Sequence, residues 1–319
     1  MASVENECSP SGASMQGWRL ILRCALWLVP LADARAGLQP QWIAFERAGG
    51  PNSDLQCFSP RNVSISDGFL AITTTSETAI CSSFDLRRAS HPYTSGFIAM
   101  RRFNFLYGTV TVRARFGGAG AGAWPAVWMA DASCQASDPS GTNDDCNGQE
   151  IDVAEILNGN FTQVNQQIHV DRFKHEDGCK APASDVSRDF HVYQLDWSPG
   201  TLVFKIDGVV TCRVLRSYVP DSPMYVKIDT FVGRYGGPIA NTSLPWATLV
   251  DYVKVTQGSN LIFNDGFGSE PADQPVPITT PLSNPSHVKR IVRTPIVTAC
   301  LVIIAVVAAY RVRGWERHG

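Results

Sequence analysis

The chain is 319 residues long, 44% hydrophobic and 18% charged, a composition that marks a globular protein and excludes a disordered one. A formal net charge of −2 leaves no basic footprint, which argues against a nucleic-acid partner. With 26 glycines, 20 prolines and only short apolar runs, an all-β architecture is favoured over a helical one.

Residues 1–36 read as a signal peptide or an N-terminal anchor. A polar leader runs into an apolar stretch, Leu20 to Ala32, that is interrupted by Arg23 and has a clean core from Cys24 to Leu31. That core is short for a membrane span and suits a signal peptide, with small-x-small cleavage sites at Ala32-Asp33-Ala34 and Ala34-Arg35-Ala36.

Residues 37–257 form the body. Arg61 to Ile72 alternates around Asp67-Gly68, a type I′ hairpin signal. Further strands are expected from Tyr93, over Tyr107–Phe116, and at 164–170, 190–197, 201–206, 209–215, 224–231 and 249–256. Many short strands at regular spacing predict a jelly-roll β-sandwich. Of nine cysteines, six lie in the body: Cys57, Cys81, Cys134, Cys146, Cys179 and Cys212. No Cys-x-x-Cys pair marks a zinc site, so three disulfides formed in an oxidising compartment are expected, Cys134–Cys146 among them. Sequons at Asn62, Asn160 and Asn241 fit a secretory route.

Gly117 to Ala123 is a glycine-rich loop leading into Trp124-Pro125-Ala126-Val127-Trp128-Met129. The glycine spacing is wrong for a phosphate cradle, and Trp-Pro stands where a helix would have to start. Indole faces stack well on the apolar faces of sugar rings, so Trp124 and Trp128 are candidate substrate-binding residues.

The chain is organised around Gly148 to Ile156, which holds Glu150, Asp152 and Glu155 between apolar residues. Glu150 and Asp152 share one face of a strand, but regular alternation turns Glu155 away. One extra residue near Val153-Ala154, a β-bulge, would return it to the same face. Three acids on one face repel one another and force at least one pKa up. Retaining glycoside hydrolysis uses such a set: one carboxylate attacks the anomeric carbon, a second protonates the leaving oxygen, and a third keeps their roles apart. No Gly-x-Ser-x-Gly elbow, His-Glu-x-x-His motif or P-loop offers another chemistry.

Residues 258–290 are rich in proline and read as a stiff stalk, although Leu261-Ile262-Phe263 leaves a terminal strand open. Residues 291–311 are read as a transmembrane helix whose apolar part, Pro295 to Tyr310, is flanked by Arg293 and Arg311. Residues 312–319 form a short basic tail. The body is therefore expected outside the cell, membrane-anchored and monomeric.

Glu-Ile-Asp-Val-Ala-Glu, together with the loop and Trp-Pro-x-x-Trp-Met before it, resembles the bulged Glu-x-Asp-x-x-Glu signature of glycoside hydrolase family 16, in its laminarinase-like branch. The likeness covers about 60–257. It implies a concanavalin A-like jelly roll that cleaves β-1,3- or β-1,3/1,4-glucan within the chain. In it Glu150 is the nucleophile, Asp152 its helper and Glu155 the acid/base. The resemblance also implies stacking by Trp124 near the cleavage point, a hydrogen bond from His169 into the acid cluster and a place for His191 at the cleft. Asp251, in the closing strand, corresponds to a residue that binds a structural calcium; no cofactor is implied for the chemistry. At 231–237 the sequence departs from the family, with Arg234-Tyr235 where a glycine and an aromatic are usual. A surface transglycosylase and a non-catalytic glucan-binding module are the alternatives.

Overall fold

The computed structural model describes residues 38–48, 54–82, 88–118, 120, 122–133, 135, 148–171, 174–239 and 244–267. The signal segment, the proline-rich stretch beyond 267, the segment 291–311, the basic tail, Asn241 and the expected Cys134–Cys146 pair lie outside these residues. Among the described residues no helix is long and apolar enough to cross a membrane.

The strands run in chain order as β1 (Trp42–Ala44), β2 (Arg47–Ala48), β3 (Gln56–Phe58), β4 (Val63–Ser66), β5 (Phe69–Thr74), β6 (Ala79–Ser82), β7 (Arg88–His91), β8 (Tyr93–Ser95), β9 (Phe97–Met100) and β10 (Gly108–Arg115). They continue as β11 (Ala123–Asp131), β12 (Glu150–Glu155), β13 (Gln163–Val170), β14 (His175–Pro182), β15 (His191–Ser198), β16 (Thr201–Ile206), β17 (Val209–Leu215), β18 (Met224–Val232), β19 (Trp246–Gln257) and β20 (Asn260–Gly266). Seven of them form one sheet, in the order β1-β9-β18-β11-β12-β13-β14. Eight strands carry the second, β17-β16-β15-β10-β19-β5-β4 with β20 also on β19. The two sheets pack as an all-β sandwich, as the alternation predicts.

Alternation explains which side each strand buries. In β10, Val110, Val112 and Ala114 are fully buried, and in β15 Tyr193 and Leu195 lie beside Trp197 in the same core. They meet Met129, Ile151, Val153, Ile168, Val226 and Ile228 of the facing sheet. The β4–β5 hairpin turns through Asp67 (φ 54°) and Gly68 (φ 83°), both in the left-handed region that a type I′ turn requires. Disulfides Cys57–Cys81 and Cys179–Cys212 are formed.

The short strands β1, β2, β3, β6 and β7 were not anticipated, and two further elements differ from expectation. β20 occupies residues expected to begin the stalk, because Phe263 and Phe267 pack on Trp42 and need a strand to hold them there. β14 was not anticipated: it is an exposed, polar edge strand and lacks the apolar alternation that marks the others.

Strands β11, β12 and β18, at the centre of the first sheet, are buried on both faces. Apolar residues fill the face toward the second sheet. Glu150, Asp152, Glu155, Lys227 and Asp229 lie on the other face, and there the candidate site is built.

Candidate active site

The bulge sits where the acid spacing requires it. Ala154 pairs with Val127 and Asp152 with the next residue, Trp128, so Val153 is the extra residue in β12. Against β13 the offset is the same: Asp152 faces Gln167 and Glu155 faces Asn165. Glu150, Asp152 and Glu155 consequently stand opposite Ala130, Trp128 and Ala126, alternate positions that share one face. The small side chains of Ala126 and Ala130 leave room above the sheet for the two glutamates.

Each acid has its own partners. The Trp124 indole N–H donates to Glu155 Oε1 at 2.6 Å. The Trp124 ring is held by Phe231 at 4.7 Å and edge-on by Tyr235 at 5.0 Å. His169 lies opposite Glu150, with Nε2 3.2 Å from Asp152 Oδ2 and 4.0 Å from Glu150 Oε1. Its Nδ1 meets Glu176 Oε1 of β14 at 3.0 Å, which fixes the ring. Glu150, Asp152 and His169 each have one ligand atom within 4.8 Å of the others, close enough to share a cation.

All three acids are pushed above the ordinary carboxylate range. For Glu150 the first cause is lost hydration and the second the charge of Asp152; Glu155 adds to it, while His169 and Lys227 oppose it. Lost hydration also leads for Asp152, followed by Glu155 and Asp229, against a hydrogen bond shared with Glu150. Glu155 is raised by lost hydration and drawn back by the Trp124 hydrogen bond and by His169. Two carboxyl groups that share a hydrogen bond share a proton. The cluster therefore titrates as a unit and does not carry three negative charges together.

Three sequence-derived assignments need correction. Trp128 lies on the acid-bearing face but is no open platform: its N–H donates to Asp229 Oδ2 at 2.6 Å, and Lys227 Nζ covers its ring 4.0 Å from the centroid. His191 belongs to β15 in the other sheet, where it pairs with Asp207 at 2.6 Å and meets Ser184 Oγ at 3.2 Å. Asp251 does not fit a calcium ion, because the Arg113 guanidinium holds its carboxylate at 2.6 Å.

Sequence reasoning also missed Lys227 and Asp229, both fully buried on the acid-bearing face. Their signal was present: two charges two residues apart inside the apolar strand Met224–Val232.

Gly122 and Gly236 join the Trp124 strand to the turn that follows β18. Gly122 N donates to Gly236 O at 2.7 Å, and Gly233 N donates to Gly122 O at 2.8 Å. A Cβ on Gly236 would stand 2.7 Å from Gly122 O, and Gly122 has φ 105°, so neither position accepts a side chain without strain. This close approach sets Tyr235 against Trp124.

The fold and the bulged acid strand define a class of protein, an all-β sandwich with a carboxylate triplet across one sheet. Residues 55–254 match the model of Glycosyl hydrolases family 16, and the chain belongs to that family. It is 29% identical over 176 residues to a keratan-sulfate endo-1,4-β-galactosidase of Sphingobacterium multivorum, covering 51% of this chain and 40% of that protein. A β-glucanase of Rhodothermus marinus is 28% identical over 183 residues, covering 51% and 62%. The chain thus spans less than two thirds of the length of these curated relatives. Among solved structures, a non-specific endo-β-1,3(4)-glucanase of family 16 (SCLam) superposes with a TM-score of 0.56 at 26% identity, covering 68% of this chain and 88% of that one.

Proposed function

We propose that the protein is an endo-acting glycoside hydrolase that cleaves β-1,3- or mixed β-1,3/1,4-glucan with retention of configuration. The observation that carries this reading is the Val153 bulge, which sets Glu155 on the face of Glu150 and Asp152. In the first step Glu150, as carboxylate, attacks the anomeric carbon while Glu155 gives its proton to the leaving glycosidic oxygen. In the second, Glu155 takes a proton from water, the water oxygen bonds to the anomeric carbon, and Glu150 leaves with its electron pair. Asp152, which shares a hydrogen bond with Glu150 and lies 3.2 Å from His169 Nε2, orients the attacking carboxylate. Trp124 positions Glu155 by its N–H and offers the sugar a ring edge or face. The body is further proposed to act outside the cell, anchored by the apolar segment 291–311.

Incubation of the purified protein with laminarin and with barley β-glucan, with reducing ends and the initial anomer followed by NMR, tests this reading. Internal cleavage with a β-anomer formed first is expected. Glu150→Gln should lower kcat at least about 1,000-fold while thermal stability is kept; activity near wild type would remove Glu150 from its role. Products longer than the substrate would mark a transglycosylase, and binding without cleavage a lectin-like module.

A further inference from the structure

Lys227 is fully buried. A buried ammonium is costly unless charges or rings compensate it. Its Nζ lies 4.0 Å from the ring centroid of Trp128, 5.4 Å from that of Tyr225 and 5.6 Å from that of Phe97. Three aromatic faces around one cation form a cage that holds it in place. The register places this cage beside the acids, on the same face of the sheet. Lys227 faces Trp128, and Trp128 faces Asp152; Tyr225 faces Ala130, and Ala130 faces Glu150. Trp128 is also tied at its edge to Asp229, so the cage and the acid-bearing face are one assembly.

The charged groups around the cage are unequal in sign. From β12 come Glu150, Asp152 and Glu155, and from β18 itself comes Asp229. From β13 comes His169, backed by Glu176 of β14. From β2 the Arg47 guanidinium lies over Phe97, 5.2 Å from its centroid. β9 and β11 meet Lys227 with Phe97, Ala99 and Trp128, none of them charged. Four carboxyl groups thus share one face with Lys227 and His169, and Lys227, after His169, opposes the upward shift of Glu150.

We infer that Lys227 is a positioning residue of this site: its caged ammonium is the built-in counter-charge that keeps Glu150 available as a carboxylate before the sugar. It touches no reacting atom. It acts on Glu150 through space, and it packs on Trp128, the neighbour of Asp152 in the next strand. This role rests on the hydrolase reading above, because it assigns the attacking group to Glu150.

The test compares Lys227→Met and Lys227→Gln, which remove the charge, with Lys227→Arg, which keeps it. In both neutral variants the acid limb of kcat/KM on laminarin is expected to move up by about one pH unit. Activity at pH 5 should fall about tenfold and be recovered at pH 7, while the arginine variant keeps the limb near its wild-type position. Carboxyl ¹³C NMR titration reads the same quantity without turnover: the midpoint assigned to Glu150, by its loss in Glu150→Gln, should rise in the neutral variants. If no variant or wild type cleaves glucan, the hydrolase reading fails, yet the titration still decides the charge role. An equal loss of activity at every pH, or an unmoved Glu150 midpoint, would overturn the inference and leave Lys227 as packing. Should the neutral variants not fold, ¹⁵N NMR of the wild-type lysines decides: a protonated Lys227 from pH 4 to 8 supports the role, and a neutral amine in that range overturns it.

Discussion

Trp124 acts twice: its ring leans on Phe231 and Tyr235, and its N–H meets Glu155. The hydrogen bond favours the charged form of Glu155 and draws its pKa down against the effect of burial. Trp124→Phe keeps an aromatic ring and removes the N–H. Glu155 should then hold its proton to higher pH, so the basic limb of kcat/KM should move up by about one unit. That is what losing a hydrogen bond to a charged group, about 1.5 kcal/mol, implies at 1.36 kcal/mol per unit. A limb that stays or falls would show that the indole N–H does not tune this acid. Asn62 is a second case in which one side chain decides an outcome. Its Nδ2 is buried and donates to Thr73 O at 2.9 Å and Thr94 Oγ1 at 3.2 Å, while Asn160, the next sequon, is exposed. Folded protein recovered from a eukaryotic secretory host should carry no glycan at Asn62, as peptide mapping by mass spectrometry would show.

β20 carries Phe263 and Asp265 inward, and with Phe267, just after it, they meet Trp42 of β1, whose N–H donates to Asp265 Oδ2 at 2.9 Å. Burial raises Asp265 from 3.8 to about 6, although Trp42 and Gln39 act against it. Its folded state therefore binds a proton more tightly than its unfolded state. The stability this contributes is complete below about pH 4 and is lost as pH rises through about 6. Asp265→Asn keeps an acceptor for Trp42 and sheds the charge; at pH 7.5 it should raise Tm by about 2–4 °C, and at pH 4 the two proteins should melt together. Such elements show what a sequence exposes. The β4–β5 hairpin, β10 and the run β15 to β17 were legible because one face of each is apolar and the turns carry Asp-Gly or Pro-Gly. β14 was not, because an edge strand with exposed polar residues on both faces has no period to read. The acid triplet was legible as a spacing error that only a bulge repairs. Lys227 and Asp229 were not, because a predicted strand does not say which neighbours its alternate residues will face until the sheet order is known. His191 and Asp251 were assigned by resemblance, and here each has found a private partner, Asp207 and Arg113.

A two-sheet sandwich must be closed along both sides, and the two closures of this one differ in kind. Beside β1 the closure is aromatic, Trp42 against Phe263 and Phe267 of the opposite sheet. On the other side the edge strands β14 and β17 are joined by Cys179–Cys212. Inside that bridge Gln166 Oε1 accepts from Thr211 Oγ1 at 2.7 Å, a second link between the sheets. β14 contributes little apolar burial of its own; its pairing with β13 holds it to the first sheet, and the disulfide ties it to the second. It also holds Glu176, and through Glu176 the orientation of His169 beside the acids. The stability of this edge and the order of the site are thus mechanically connected. Replacing both cysteines by alanine opens a loop of sequence separation 33 and should cost about 3–4 kcal/mol, seen as a lower urea midpoint with little change in slope. Well below the melting temperature, kcat should fall more than KM rises, because His169 loosens while Trp124, three strands from β14 in the sheet, keeps its partners. Hydrogen exchange should quicken in β14 and the outer half of β13 and leave β11 and β18 protected. Equal loss of protection across the whole sheet would show that the bridge stabilises the fold globally and has no particular bearing on the site.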